Sequence, residues 1–408
     1  MFKKGETRRM KIKNNIAKNF FIFTILILFV GTTFSQCTAN YTLKYQSRPV
    51  SVGNTIYVDD DNVLGPWDGT IQHPYLTLAD GITYADENSI IFVFKGLYFE
   101  DCLVSKKLTL RGEDRRLTAC FSITLNAPEI DISRFSLISL VVFSNNNTIY
   151  DNRIEGGGSL SLTGNASQNI VRNNTIENAE IGIFLSAESK ENLIEQNLVQ
   201  NNEIGISIQG VNQTIRYNYI LKNSIGISSS SSNHTIIYNI FKENGAGVKS
   251  GGSLLQIGNN LFTRNTKGIE LVKGKSQQIY GNIFRLNEIG LLMEECQDCV
   301  VVDNNFYSNQ NPVVYILEND DLLELFKNYQ RSGNVIERNF PRPFVISITF
   351  TYSTWIGGFY QEFNFPIFRL VNLLPRFLPY EGFDLGNFLE NWPQDAFSIG
   401  LFSMEELI

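Results

Sequence analysis

Apolar and polar positions recur with a fixed period between residues 147 and 311. An Asn is followed two residues later by an aliphatic or aromatic residue eight times, at steps of 21 to 23 residues. The position three residues before each of these Asn residues is always apolar, a second Asn often stands five residues after it, and a Gly often stands eight residues after it. A fixed period in the low twenties indicates a solenoid. The pairs are Asn152/Ile154, Asn174/Ile176, Asn197/Val199, Asn218/Ile220, Asn239/Phe241, Asn260/Phe262, Asn282/Phe284 and Asn304/Phe306.

The spacing inside each unit predicts which kind of solenoid this is. Ile204, Ile206 and Ile208 alternate as in a strand with one buried face. The Asn positions interrupt this alternation, and Asn tolerates the left-handed conformation that a tight turn requires. The spacing of leucine-rich repeats is absent, so we predict an all-β parallel β-helix with three short strands, two Asn turns and one looser loop per rung. The second Asn column is predicted to be a structural ladder made of Asn202, Asn223, Asn244, Asn265, Asn287 and Asn309.

The residues before the repeats predict less regular opening rungs and a cap. Tyr75, Leu78, Ala79, Ile82 and Ala85 form one apolar stripe of a short helix. The open end of a β-helix would template further strands, so an amphipathic helix across it is the expected cap. The predicted strands here are Thr55–Val58, Ile90–Phe94, Lys107–Leu110 and Phe121–Leu125.

After Pro312 the repeat fades. Leu322–Tyr329 is compatible with a short helix, and Gly333–Phe340 predicts one degenerate last rung. Residues 341–408 are rich in aromatic residues, have no period, and contain polar interruptions that argue against a membrane span. We interpret this segment as an irregular C-terminal cap. The alternative is a docking or ligand-binding segment, because exposed aromatic residues are a liability unless they are buried on a partner.

The first 35 residues predict a secretory signal peptide. Residues 1–18 contain seven Lys or Arg, an apolar run extends from Phe20 to Val30, and small residues at Thr33 and Ser35 precede a cleavage point before Gln36. Alternatives are a start at Met10, an uncleaved anchor, and a lipoprotein acylated at Cys37. Removal of residues 1–35, which carry +6, takes the net charge from −7 to about −13. An acidic chain argues against nucleic acid as a partner and suits a secreted, extracellular or cell-surface protein with no integral membrane span after cleavage.

The sequence contains five cysteines. This number is consistent with an exported protein but does not show that the protein is exported. Cys102 and Cys120 stand about one rung apart in strand-rich sequence, so they are predicted to lie over each other as a possible disulfide. Cys296 and Cys299 form a CxxC in a repeat loop. Neither a thioredoxin-like context nor a second pair of zinc ligands accompanies it. A local disulfide or two free thiols are the remaining interpretations.

Several motifs resemble a known group of proteins. IYVDDDN, GPWDGT, HPYLTLADGI, IIFVFKGLYFED and KKLTLRGED look like the opening of secreted right-handed β-helix proteins of the pectin-lyase-like superfamily. The later repeats resemble those of the NosD-like, carbohydrate-binding and sugar-hydrolase branch. The resemblance implies a right-handed β-helix but not an activity, because this fold hosts lyases, hydrolases, epimerases, adhesins and scaffolds. The expected boundaries are 1–35 signal peptide, 36–53 linker, 54–146 cap and first rungs, 147–316 regular repeats, and 317–408 last rung and aromatic segment.

The sequence contains no recognisable catalytic constellation. Arg172, Glu195 and Arg216 are predicted to stack on consecutive rungs, which we interpret as a structural ion ladder. An ionised Glu195 between two cations is unsuited as the general acid of a glycosidase. No catalytic residue, metal site or cofactor is therefore predicted. The sequence contains no set of Met, His or thiolate ligands for copper. Asp59–Asp61 are compatible with calcium binding but do not form a clear calcium motif.

The sequence supports a saccharide-binding surface better than it supports a catalytic or metal site. Tyrosines stand at outward or turn positions together with Arg216 and Glu195, although Tyr is favoured in strands whatever the function. The sequence thus predicts a secreted β-helix protein with a surface-binding or structural role, with carbohydrate binding favoured and a polysaccharide or cell-surface glycan as partner. The alternative is a polysaccharide lyase or glycoside hydrolase with an unrecognised site. The tyrosines are Tyr217, Tyr219, Tyr238, Tyr280 and Tyr307.

Overall fold

The computed structural model describes residues 55–318, 334–340, 344–356 and 359–371. They form an all-β solenoid, a right-handed parallel β-helix with one short α-helix, as the sequence predicts. The predicted signal peptide, the predicted linker up to residue 53, Cys37 and the helix predicted at Leu322–Tyr329 lie outside the described residues.

One column of the solenoid is a parallel sheet that contains one strand from every rung. Thirteen strands of the described residues stack in it, each paired with the strand of the next rung. They are β1 (Thr55–Val58), β2 (Ile90–Val93), β4 (Thr109–Gly112), β6 (Asp131–Ser133), β8 (Thr148–Tyr150), β11 (Ile170–Arg172), β14 (Leu193–Glu195), β17 (Thr214–Arg216), β20 (Thr235–Ile237), β23 (Gln256–Gly258), β26 (Gln278–Tyr280), β29 (Val300–Val302) and β32 (Val335–Glu337).

The second and third columns carry the other two strands of each regular rung. The second contains β9 (Arg153–Ile154), β12 (Thr175–Glu177), β15 (Leu198–Gln200), β18 (Tyr219–Leu221), β21 (Ile240–Lys242), β24 (Leu261–Thr263), β27 (Ile283–Arg285) and β30 (Asn305–Tyr307). The third contains β10 (Leu160–Leu162), β13 (Ile181–Leu185), β16 (Ile204–Ile208), β19 (Ile225–Ser229), β22 (Ala246–Ser250), β25 (Lys267–Val272), β28 (Ile289–Glu294) and β31 (Asn311–Glu318).

The opening rungs differ from the regular ones in a way that the repeat pattern does not show. Three long strands replace the second and third strands there: β3 (Gly96–Val104), β5 (Thr118–Leu125) and β7 (Ser136–Val142). β7 pairs with β9 at one end and with β10 at the other. A single strand thus runs through the corner that later rungs turn with an Asn, since the opening rungs have no Asn at that position.

The interior is filled by columns of identical or similar apolar side chains. Ile194, Ile215 and Ile236 are fully buried and pair in register on adjacent rungs, as predicted. Further along, Phe rings stack face to face inside the second column. Their centroids are 4.6, 4.9 and 4.5 Å apart, a spacing set by the distance between parallel strands. The stacked rings are Phe241, Phe262, Phe284 and Phe306.

Buried Asn ladders join the rungs at two corners. In the ladder that runs from Asn202 to Asn309, the side-chain oxygen of Asn223 accepts from the backbone and side-chain nitrogens of Asn202, at 2.9 and 3.0 Å. The side-chain nitrogen of Asn223 donates to Val199 O and to the next Asn, at 3.1 Å each. The same bonds continue to Asn309. These contacts satisfy buried turn backbone that has no partner within its own rung.

A third ladder, which sequence analysis missed, lies five residues before the first Asn of each unit. Asn192 N donates to Gln213 Oε1 at 3.0 Å, and Gln213 N donates to His234 Nδ1 at 3.2 Å. This column is not evident from the sequence, because only four of its nine residues are Asn. The bonds run from Asn147 to His234, stop at Leu255, which has no polar side chain, and reappear between Cys299 N and Asn334 Oδ1. The positions of this column are Asn147, Asn169, Asn192, Gln213, His234, Leu255, Gln277, Cys299 and Asn334.

The Gly column stands where neighbouring rungs approach too closely for a side chain. A Cβ on Gly226 would lie 2.4 Å from Gly247 O on the next rung. We therefore expect Gly226→Ala to lower the free energy of unfolding by about 1–3 kcal/mol, because the two rungs must move apart. Urea unfolding measures this, with Gly251→Ala as control, since its Cβ would meet only Val272 O at 3.5 Å. Equal stability of the two variants would contradict the prediction.

The predicted capping helix is α1 (Leu78–Tyr84), which is shorter than the apolar stripe suggested. Glu100 on β3 accepts from Leu78 N and Ala79 N at 2.9 Å each, at the start of the helix. Lys106 donates to the carbonyl oxygens of Ile82, Thr83 and Ala85 at its end. Opposite charges at the two termini complement the helix dipole and hold α1 on the solenoid.

The last rung returns after a long insertion, as predicted. Asn339 extends the first Asn ladder by accepting from Asn304 N at 3.0 Å, and β32 pairs with β29. Part of the aromatic segment that lacks a sequence period has regular backbone. β33 (Phe344–Ile356) pairs parallel with β31 and antiparallel with β34 (Phe359–Val371).

Candidate functional site

The outer face of the first column carries the predicted surface residues. The middle residue of each three-residue strand points into the core, so the third residue points outward and stacks on the same residue of the next rung. In the central rungs these outward residues are Tyr150, Arg172, Glu195, Arg216, Ile237, Gly258 and Tyr280.

Only one of the two ion pairs predicted for the ladder forms, the pair between Glu195 and Arg216. Arg216 Nε donates to Glu195 Oε2 at 2.8 Å, which gives the expected ion pair. Arg172 is in register with Glu195, but its guanidinium carbon lies 5.4 Å from the centre of the Tyr150 ring. The described contacts of Arg172 include no carboxylate, so the interpretation of three alternating charges is corrected to one ion pair and one cation over a ring.

Tyr217 and Tyr238 stand at the corner beside this ion pair. Both have left-handed backbone, with φ of 55° and 56°, a position that turns the chain between the first and second columns. Their rings stack with centroids 5.3 Å apart and planes inclined by 15°. The Arg216 guanidinium carbon lies 5.7 Å from the Tyr217 ring. Because the rings stack along the solenoid axis, they cover each other's faces and leave their edges towards solvent.

The ring of Tyr280 lies against Gly258, on the rung between Tyr280 and Tyr238. A Cβ on Gly258 would lie 2.4 Å from ring atoms of Tyr280. The ring therefore occupies the space left by the missing side chain, and Tyr238 contributes to the electrostatic environment of Tyr280. We call Tyr217, Tyr238 and Tyr280 the tyrosine strip.

The phenol groups of Tyr217 and Tyr280 remain protonated at neutral pH, because the pKa of each is raised above its usual value. Burial raises the pKa of Tyr217 and of Tyr280, and the neighbouring Tyr238 raises both further. A protonated phenol both donates and accepts hydrogen bonds. Together with the cation of Arg216 and the carboxylate of Glu195, the strip offers a row of polar groups beside ring edges.

Two other predicted tyrosines lie elsewhere. Tyr219 is the first residue of β18 and is only 8% exposed, so it does not share the surface. Tyr307 is exposed on the second column, where its ring centre lies 5.5 Å from that of Phe340. Of the binding residues predicted from the sequence, the tyrosine strip, Arg216 and Glu195 therefore share one surface, and Arg172 lies beside them.

Three other carboxylates, those of Glu270, Glu177 and Asp60, contact cations or a backbone donor. Glu270 is buried between Lys249, at 3.4 Å, and Lys267, at 2.9 Å. Glu177 accepts from Arg153 at 2.8 Å. Asp60, in the acidic run considered for calcium, accepts from Leu97 N at 2.8 Å. Within the described ranges, no three His, Cys, Asp or Glu side chains are grouped to hold a metal ion.

Sequence analysis missed Gly258, which determines where the ring of Tyr280 lies. In the central rungs, from Tyr150 to Tyr280, Gly258 stands in an outward column whose other residues are Arg, Glu, Ile and Tyr. That exception to the column was visible in the sequence. The placement of the Tyr280 ring against Gly258 could not be predicted, because it depends on the side-chain conformation of Tyr280 on the next rung.

Two family profiles match the chain. "Periplasmic copper-binding protein (NosD)" matches residues 138–256, and "Right handed beta helix region" matches residues 204–347. No curated protein sequence matches it.

Solved structures with a similar fold include three whose sequences are about one-eighth identical. The mannuronan C-5 epimerase AlgE6 A-module of Azotobacter vinelandii is 13% identical with a TM-score of 0.48, over 64% of this chain and 93% of that one. A PL6 family polysaccharide lyase of Pseudopedobacter saltans is 13% identical with a TM-score of 0.45, over 64% and 91%. The Dettilon tailspike protein is 12% identical with a TM-score of 0.47, over 76% of each chain.

In the part of the chain that the structure describes, no helix is long and apolar enough to cross a membrane.

Proposed function

Since this chain is a right-handed parallel β-helix protein of the pectin-lyase-like type, we propose that it is exported and binds a polysaccharide along the outer face of its first column. The observation that carries the proposal is the tyrosine strip beside the Glu195–Arg216 ion pair. Sugar hydroxyls both donate and accept hydrogen bonds, and the strip, Arg216 and Glu195 supply groups of both kinds.

The geometry of the solenoid suits an extended chain of sugars. Successive rungs are about 4.8 Å apart, a spacing comparable to the length of one sugar ring. A saccharide that lies along the axis therefore meets equivalent positions on successive rungs. The edges of stacked rings give it apolar contact as well, so several weak contacts can add along the chain.

Binding is tested by screening the mature chain against a glycan array, with and without calcium, and by measuring affinity for the glycans that bind. We expect Tyr238→Ala to weaken binding about tenfold, because about 1.4 kcal/mol of hydrogen bonding and packing is lost. Tyr307→Ala is the matched control, an exposed tyrosine on another column, and should leave affinity unchanged. Equal losses in both variants would contradict the assignment of the site.

Gly258→Ala provides a second test of the same surface. The new methyl group would displace the ring of Tyr280 while every side chain named in the site stays in the sequence. We expect weaker glycan binding with unchanged circular dichroism. Unchanged affinity would show that the position of Tyr280 is irrelevant to binding.

The alternative function is cleavage of a polysaccharide. Glycosidases need two carboxyl groups across the scissile bond, one of them protonated. Glu195 is held by Arg216, so the site lacks such a pair and we expect no turnover. Incubation with acidic and neutral polysaccharides tests this. New reducing ends or an unsaturated-uronate absorbance that Glu195→Gln abolishes would replace the binding proposal with an enzymatic one.

A further inference from the structure

The opening rungs carry an apolar patch on their outer face. Leu97 and Phe99 on β3, Leu117 just before β5 and Phe121 on β5 are 61%, 80%, 56% and 44% exposed. The register pairs β3 with β5, so these side chains lie on adjacent rungs of one face. We propose that this apolar patch is the interface of a symmetric homodimer, in which the Phe99 ring of each copy fills a cavity of the other.

The apolar patch is confined to the opening rungs. The register places Glu155, Glu177 and Gln200 of later rungs at the position that Phe121 has on β5. The patch exposes about 500 Å² if each of its four side chains has roughly 200 Å² of surface. Monomeric proteins rarely expose contiguous apolar surface of more than a few hundred Å². A patch of this size therefore indicates a surface that a partner covers.

A cavity opens within the apolar patch. Its volume is about 180 Å³, and Leu97, Phe121 and Ile138 line it together with Phe99. A cavity of about 150 Å³ accommodates a benzene ring, so the phenyl ring of a partner fits this one. Phe99 forms one wall of the cavity and leaves most of its own surface to solvent. The patch thus contains a cavity and an exposed ring side by side.

Cys120 adds to the lining of this cavity. The register places Cys120 opposite Tyr98, and Cys102 opposite Ile123, so the two cysteines do not lie directly over each other as the sequence predicts. Both are free thiols that are at most 4% exposed. A buried thiol behaves as a small apolar side chain, which keeps the cavity apolar.

The cavity and the ring that fits it belong to the same surface. A two-fold axis between them places the ring of each copy in the cavity of the other, so the patch is complementary to itself. A different protein would have to present an aromatic ring at the matching position, whereas a second copy of this chain always presents Phe99. A second copy is therefore the occupant that fits.

Exposed charges of opposite sign stand at the two ends of the apolar patch. Arg116 lies in the turn before β5, near the start of β3, and Asp101 lies on β3 beyond Phe99. A two-fold axis perpendicular to the strands runs the facing strands antiparallel and brings Arg116 of one copy to Asp101 of the other. Opposite charges at the rim favour this alignment over the parallel one, in which like charges meet.

The size of the apolar patch determines the expected strength of the dimer. Two copies together remove about 1,000 Å² of the patch from water, which is at the lower end of specific interfaces. We therefore expect association in the micromolar range. The tyrosine strip lies on the first column, outside the patch, so a dimer carries two strips. Linked sites bind a polymer more tightly than a single site does.

Sedimentation equilibrium of the mature chain, from low to high micromolar concentration, tests the proposal. We expect a shift from the mass of one copy to that of two. Phe99→Asp should weaken association about a hundredfold, because a charge would enter the apolar cavity. Leu254→Asp is the matched control, since Leu254 is 55% exposed on a distant rung, and should associate as the wild type does. The mass of one copy at every concentration, or equal effects of the two substitutions, would overturn the proposal.

Ala119→Phe separates insertion into the cavity from general adhesion of apolar surfaces. Ala119 lines the cavity, so a Phe there fills it and makes the apolar patch more apolar. We expect this variant to lose the dimer while its circular dichroism matches that of the wild type. A dimer as stable as that of the wild type would contradict the proposal, because adhesion of apolar surfaces does not need the cavity.

Discussion

Replacing Asn223 with alanine is expected to lower the free energy of unfolding by about 2–4 kcal/mol. Its amide accepts two hydrogen bonds from Asn202 and donates to Val199 O and Asn244 Oδ1. Alanine leaves Asn202 N and Val199 O buried without these partners, and each such group costs about 1–3 kcal/mol. Urea unfolding monitored by circular dichroism measures the loss.

Ser224→Ala is the matched control for this variant. Ser224 is the exposed neighbour of Asn223 in the same turn, so its replacement should change stability by less than about 0.5 kcal/mol. Glycan binding supplies a second readout. An Asn223→Ala protein with unchanged unfolding but lost glycan binding would move Asn223 from the ladder to the binding site.

Stability is expected to fall by about 2–3 kcal/mol between pH 7.5 and pH 4.5 because of one residue, His234. Burial lowers the pKa of His234 from 6.5 to about 4. Its Nδ1 accepts from Gln213 N at 3.2 Å, and its Nε2 lies 2.9 Å from Ser231 Oγ, so the folded protein holds a neutral ring. Below pH 6.5 the unfolded chain binds a proton that the folded chain does not. The stabilisation is complete above pH 6.5 and is lost as the pH falls towards 4.

His234→Asn isolates this effect, because Asn occupies the same ladder position at Asn192. Unfolding of wild type and variant is measured at both pH values, and the carboxylates that titrate in this range cancel in the comparison. We expect the variant to lose about 2–3 kcal/mol less than the wild type. Equal losses would show that His234 does not change its protonation on unfolding.

The sequence predicted those features that depend on contact between equivalent residues of neighbouring rungs. The fold and the inward columns such as Ile194 and Ile215 follow from the period. The last rung at Asn339 follows from a copy of the repeat motif that returns 35 residues after Asn304, outside the period. In a parallel solenoid a residue meets its counterpart one repeat away, so a column in the sequence is a stack in space. The third ladder was not predicted, because residues such as His234 and Cys299 occupy the same position of the repeat as its Asn residues but are of different types.

The tertiary structure decided which residues share the candidate site. Tyr219 and Tyr217 are two residues apart, yet one is buried and the other belongs to the strip. The ring of Tyr280 extends over Gly258 of the preceding rung, which has no side chain in that space. Arg172 prefers the ring of Tyr150 to the carboxylate of Glu195. The period fixes where each Cα lies, but which side-chain atoms meet depends on the size and conformation of the neighbours on adjacent rungs, and that information is not periodic.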